Sequence, residues 1–176
     1  RVEVLACPPG FRRKGDMEAF VIAVAVSFGI VFVAELGDKS QLMALTFATR
    51  FRAVPVLVGI TVATSVVHLL SVALGAGLGA ALPTGWLSLL AAAAFVGFGF
   101  WTLRGDALTE AERERAQRSE RSAVIAVSVA FFLAELGDKT MLATITLATR
   151  YGWFGTWLGS TVGMVAADAL AIIVGR

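Results

Sequence analysis

The sequence predicts an all-α, polytopic membrane protein, built as an inverted-topology repeat of three-helix units, with the second unit lacking its third helix in this chain. Three observations carry that reading. Hydrophobic residues fill 57% of the 176 positions and charged ones only 16%, where soluble domains carry roughly a quarter. The charges are gathered into short clusters, leaving runs long enough for a helix to span hydrocarbon with its backbone satisfied internally. The six letters AELGDK at 34–39 recur unchanged at 134–139, an offset of 100.

The same composition excludes an ordinary soluble fold and a disordered chain. Cys7 is the only cysteine, which excludes a disulfide scaffold. Fifteen Lys and Arg against thirteen Asp and Glu leave +2, dispersed along the chain, and give no argument for nucleic acid as a partner.

Residues 1–17 read as a tail. They hold Pro8, Pro9, Gly10 and the basic run Arg12, Arg13, Lys14, and lack the apolar run of a signal peptide. Met17 stands directly before the first apolar run, so the native start is expected there. The first repeat, 18–104, opens with a helix over 19–49 that is apolar apart from one charged cluster. Residues 53–103 carry no Asp, Glu, Lys or Arg; Pro83, Thr84 and Gly85 divide them into helices 54–82 and 86–103. Residues 105–121 form a polar linker that mixes Arg113, Arg115, Arg118 and Arg121 with Glu110, Glu112, Glu114 and Glu120, a pattern expected of a solvated helix. The second repeat, 122–176, supplies helices 122–149 and 153–175.

At the offset of 100, Ala48-Thr49-Arg50 meets Ala148-Thr149-Arg150, Gly59 meets Gly159, Thr61-Val62 meets Thr161-Val162, Gly75 meets Gly175, and His68 falls opposite Asp168. Helix 86–103 has no mate, so the second repeat is expected to be cut short at Arg176. Three helices per unit is an odd number, which inverts the second copy in the membrane. Placing Arg50, Arg52, Arg104 and the linker arginines inside follows the enrichment of basic residues in cytoplasmic loops. The N-terminus is then outside, the linker cytoplasmic, and a bacterial inner membrane the expected location. Inverted repeats with binding groups at midplane are a common plan for secondary transporters.

The chemistry lies in the duplicated cluster, Glu35-Leu36-Gly37-Asp38-Lys39-Ser40 and Glu135-Leu136-Gly137-Asp138-Lys139-Thr140. Sixteen uncharged residues, Ala19 to Ala34, precede Glu35, roughly 24 Å of helix at 1.5 Å per residue, which buries the charge deep in the membrane. Helical spacing puts Glu35 and Asp38 on one face, with Lys39 one turn from Glu35. Convergence of Glu35, Asp38, Glu135 and Asp138, with the hydroxyls of Ser40 and Thr140 and the Gln41 amide nearby, gives an all-oxygen shell suited to a hard divalent cation. Gly37 and Gly137 either admit a neighbouring helix or let their own helix open. Four carboxylates and two lysines leave −2, which one divalent cation neutralises, and buried carboxylates take up protons when the ion departs. Metal–proton exchange is therefore the expected cycle. His68 and Asp168 are candidates for a proton relay. Thr46, Thr49, Thr146 and Thr149 are expected to bond back to their own helices, and Trp86, Trp101, Trp153 and Trp157 to anchor helix ends at the interface.

The duplicated E-x-G-D-K-S/T signature resembles that of the Gdt1-type cation/proton exchangers, over nearly all of residues 18–175. The resemblance implies transport of manganese or calcium and a cation site of Glu35, Asp38, Glu135 and Asp138, with Lys39, Ser40, Lys139 and Thr140 at the remaining motif positions. It implies no enzyme activity and no cofactor besides the transported ion. The expected partners are a divalent cation, protons and the lipid bilayer, with a homo-oligomer open. Two rival readings are an intramembrane aspartyl protease pairing Asp38 with Asp138, and an exporter of small solutes. Against the protease, Glu35 stands where such enzymes carry a glycine, and the adjacent lysines oppose a proton-sharing dyad.

Overall fold

The computed structural model describes residues 14–81, 123–175 and nine positions between 83 and 100. Its elements are α-helices: α1 (Lys14–Glu35), α2 (Lys39–Arg50), α3 (Ala53–Ala81), α4 (Ala123–Glu135), α5 (Lys139–Ala148) and α6 (Trp153–Val174). Residues 86, 89, 92, 93, 96, 97 and 100 are also helical, within the span expected for helix 86–103, and so is Gly85, which the sequence reading placed in the turn before it. The polar linker 105–121 and residues 1–13 of the tail lie outside the described residues. Helix α1 starts at Lys14, three residues before Met17, with Asp16 in its first turn where the positive end of the helix dipole favours an acid.

Gly15–Glu35, Ala53–Ala81 and Trp153–Val174 are each long and apolar enough to cross a membrane, and Ala123–Glu135 is a shorter apolar helix. The chain is a membrane protein, and its surface reverses the pattern of a soluble one. Ser27, Thr64, His68, Ser71, Thr144, Thr156, Ser160 and Asp168 are buried, while Val21, Ile22, Val54, Leu69, Leu70, Leu74, Ile173 and Val174 face outward. Lipid accepts the outward side chains at no cost and gives the polar ones a reason to turn in.

Two predicted helices, 19–49 and 122–149, are not continuous. Each is interrupted within the motif, between Glu35 and Lys39 and between Glu135 and Lys139. The cause is local. Gly37 and Gly137 adopt φ of +79° and +81°, the left-handed region that an L side chain occupies only at a cost. Of the two roles open to these glycines, the structure shows the second: no heavy atom lies within 4 Å of where a Cβ would stand on either, so no neighbour crowds them.

The packing between the halves is reciprocal. A Cβ on Gly59 of α3 would meet Val124 and Val127 of α4; one on Gly159 of α6 would meet Val24 and Ser27 of α1. Gly75 abuts Ile145 and Ala148 of α5, and Gly175, just past α6, abuts Leu45 of α2. Contacts also advance in register. Along α6, Gly155, Gly159 and Gly163 meet Ala23, Ser27 and Phe28 in turn; along α3, Gly59, Gly75 and Gly79 meet Val127, Ile145 and Thr149. Thus α6 lies beside the path α1–α2, and α3 beside α4–α5, each pair running in the same direction. A core of Met43, Phe47, Val56, Ile60, Val127 and Phe131 fills the space between the halves.

Candidate functional site

The two interruptions meet. Asp38 and Asp138 stand at the N-termini of α2 and α5 with extended backbone, φ −80° and ψ 166° and φ −75° and ψ 168°, yet neither side chain caps its helix. An aspartate at this position normally accepts a bond from the first-turn amides. Here each carboxylate turns instead toward the opposite repeat. Lys39 Nζ lies 3.1 Å from Asp138 Oδ1, and Lys139 Nζ lies 2.8 Å from Asp38 Oδ1. The lysines are therefore exchanged between halves. This differs from the sequence expectation of Lys39 stacked one turn from Glu35, because the break at Gly37 removes the helical register that expectation assumed.

Each glutamate is held by the hydroxyl five residues on. Ser40 Oγ donates to Glu35 Oε2, and Thr140 Oγ1 donates to Glu135 Oε2 at 3.0 Å. Glu35, Asp38, Glu135 and Asp138 are all at most 3% exposed. Glu35, Asp38 and Asp138 each bring one oxygen within 4.8 Å of the others. Two oxygens on opposite sides of one ion, each about 2.4 Å from it, stand about 4.8 Å apart, so the trio has the dimensions of one hard-cation site. Glu135 is not part of the trio. Among the described residues, Glu35 Oε1, Glu135 Oε1 and Asp138 Oδ2 have no hydrogen-bond partner. A buried carboxylate oxygen in that condition calls for a proton or a cation.

The start of two helices at this point adds the positive ends of two helix dipoles, which favours carboxylates there. The arrangement can hold a doubly charged ion among oxygens while two lysine ammonium groups balance the excess acid. It can also exchange that ion for protons, since every ligand is a weak acid.

Gln41 is oriented differently from the sequence expectation of an amide beside the ion. Its Oε1 accepts from the Gly37 amide and its Nε2 donates to the Ala167 carbonyl of α6, both at 2.8 Å. Asp168 is fully buried, with neither oxygen partnered among the described residues, and interacts electrostatically with Glu35, Asp38 and Glu135. It brings a fifth carboxylate to the neighbourhood, a charge absent from the four-acid balance. His68 is buried on α3 with its Nδ1 3.4 Å from Thr161 Oγ1, and makes no ion pair among the described residues. Thr46, Thr49, Thr146 and Thr149 bond back to their own helices as expected. Trp157, expected as an interface anchor, donates its indole N–H to the Ser65 carbonyl at 3.0 Å and ties α6 to α3.

The model of the family described as "Divalent cation/proton antiporter GDT1" matches residues 23–110 and 123–176. The chain belongs to that family. A Vibrio cholerae serotype O1 protein named "Putative manganese exporter" is 33% identical over 162 residues, covering 90% of this chain and 79% of that protein. GDT1-like protein 2, chloroplastic, of Oryza sativa subsp. japonica is 32% identical over 196 residues, covering 92% of this chain and 56% of its own. GDT1-like protein sll0615 of Synechocystis sp. is 30% identical over 165 residues, covering 84% and 80%. No solved structure matches the chain.

Members of this family are transporters, not enzymes, which sets aside the protease reading of Asp38 and Asp138. The geometry agrees, since each aspartate is engaged by a lysine of the other repeat and a dyad that shares a proton has no room for that ammonium. Sequence reasoning missed the lysine exchange and the tie from Gln41 to α6. It also missed the buried hydroxyls of Thr64 and Ser71, although Thr64, His68 and Ser71 recur at the i, i+4, i+7 spacing of one helical face in a helix without charged residues.

Proposed function

We propose that Glu35, Asp38 and Asp138, with Glu135 as the fourth acid, hold one manganese or calcium ion and exchange it for protons, so that protons entering down their gradient drive the export of divalent cations. The observation that carries the reading is the buried trio, drawn from both repeats, with oxygens spaced for one ion. Lys39 and Lys139 offset the carboxylates when the ion is absent, and protons on the acids complete the balance as it leaves. Asp168 and His68 occupy equivalent positions in the two halves, and Asp168, which interacts electrostatically with Glu35 and Asp38, is the better placed of the two for a proton route.

An inverted repeat accounts for the packing. If α1–α2 runs beside α6 and α3 beside α4–α5, and each half folds back on itself between its broken helix and the helix that follows, equivalent helices of the two halves run in opposite senses. The two breaks then face each other across a pseudo-two-fold axis in the membrane plane, the arrangement common among alternating-access carriers. The arginine distribution favours a cytoplasmic linker and an inner-membrane location.

The test is flux into inside-out vesicles. With the vesicle interior acidic, manganese or calcium should accumulate and the pH gradient should dissipate in step. Lowering the pH on the uptake side should weaken metal capture, because protons compete for the same oxygens. Flux indifferent to pH between about 5.5 and 8 would contradict exchange.

A further inference from the structure

Six letters are identical in the two motif segments; Ser40 against Thr140 follows with the hydroxyl kept, and the first change of chemistry comes two positions beyond them, at Gln41 against Met141. We propose that Gln41 is a positioning residue that makes the two halves mechanically unequal: it pins the first helix break to α6, so that the second break is the hinge that moves when the site opens.

In the first half, the Gly37 amide donates to Gln41 Oε1 and Gln41 Nε2 donates to the Ala167 carbonyl, each at 2.8 Å. One side chain thus bridges the left-handed glycine of the break and a backbone carbonyl of another helix. In the second half, the Gly137 amide donates instead to the Met141 thioether, at 3.2 Å. A thioether is a weak acceptor and no donor, so Met141 cannot form the second bond. The counterpart of the Ala167 carbonyl is that of Val67, and it accepts the Ser71 hydroxyl at 2.7 Å. The counterpart of Ser71 is Ala171, which has no hydroxyl. Both members of the tie are therefore present in one half and both are changed in the other.

The pinned side includes more than the break. Ala167 precedes Asp168, so Gln41 fixes Glu35 and Asp38 relative to that buried acid and makes the three move as one body with α6. Trp157 and Ser65 join α6 in turn to α3. Among the described residues, Leu136-Gly137-Asp138 has no side-chain tie to a backbone carbonyl of another helix like that of Gln41; its link across the halves is the ion pair of Asp138 with Lys39, and once that pair yields, rotation there swings Asp138 into or out of the trio while Glu35 and Asp38 stay in place. Gln41 itself need not touch the ion.

The test is hydrogen exchange by mass spectrometry on the full chain in lipid nanodiscs without added metal, with transport measured separately. Amides at 36–38 should exchange about fivefold more slowly than those at 136–138, the protection expected of one additional side-chain bond. Gln41→Met should erase the difference. Met141→Gln combined with Ser71→Ala, which rebuilds the first half's chemistry in the second, should slow exchange at 136–138. In proteoliposomes that double variant should lose maximal manganese flux severalfold with KM unchanged, because the ligands are in place and only the hinge is tied. Equal exchange at the two breaks in the unaltered chain would overturn the proposal, as would 36–38 unaffected by Gln41→Met, or 136–138 unaffected in a double variant whose helix content is retained. The transport arm rests on the cation-site reading and the exchange arm does not. Unequal exchange with no metal flux in the unaltered chain would reject the site reading and leave the hinge assignment standing.

Discussion

Around Glu35 and around Glu135 the chain builds the same structure twice, with a helix ending on glutamate, a left-handed glycine, an uncapped aspartate and a hydroxyl returned to the glutamate. Along the helices that carry these segments the halves diverge. Helix α6 presents Gly155, Gly159 and Gly163 to α1, and a Cβ on Gly159 would run into the Val24 carbonyl. Helix α3 presents Pro55, Gly59 and Ala63 at the same positions, retaining one glycine of three. The difference shows what each task demands. A buried cluster of charges needs every charge at its place, because a missing or misdirected carboxylate leaves the others uncompensated. Close packing in a membrane needs only small residues at the contact, and several combinations provide them.

The largest expected effect tests the equivalence of the two motifs. Glu35→Gln in the first half and Asp138→Asn in the second should each lower manganese or calcium flux by about 100-fold or more, the scale of removing one member of a buried charge set, while membrane insertion is retained. A loss confined to one half would break the comparison. The lysines sharpen it. Lys139 is 5% exposed against 18% for Lys39, so water screens the second pair more. Lys139→Met should therefore reduce flux about tenfold and Lys39→Met less, both measured against the same vesicle background. The smallest effect lies in the packing. Gly159→Ala should destabilise the fold by about 1–3 kcal/mol in thermal unfolding, because the obstacle is backbone. Gly59→Ala should fall at the lower end, since its nearest obstacle, the Val127 Cβ, stands at 2.7 Å against 2.4 Å for the Val24 carbonyl at Gly159.

The helical, membrane-embedded character and the meeting of two motifs were legible because they follow from charge placement and a literal repeat. The breaks were legible only as one of two roles open to Gly37 and Gly137. Apolar residues flank Glu35 and Glu135 on both sides, so the run reads as one helix, and Gly37 and Gly137 carry the only local sign of the positive φ that divides it. The lysine partners were hidden for the same reason, since Lys39 and Glu35 share a face only if the helix continues. Asp168 was legible as an isolated acid in an apolar helix, but its approach to Glu35 and Asp38 depends on the path of α6 beside α1–α2, which the offset of 100 does not encode. Gln41 looked like a ligand because it lies near the motif; its two bonds to backbone appear only with α6 in place.

The central claim is that the two repeats share one ion, and equilibrium manganese binding to the purified full chain, read by electron paramagnetic resonance, tests it most directly. The account predicts one manganese per chain, displaced by calcium and by acid, and lost on Glu35→Gln and on Asp138→Asn alike. Two manganese ions per chain, one lost with each variant, would contradict it by showing that each motif binds on its own.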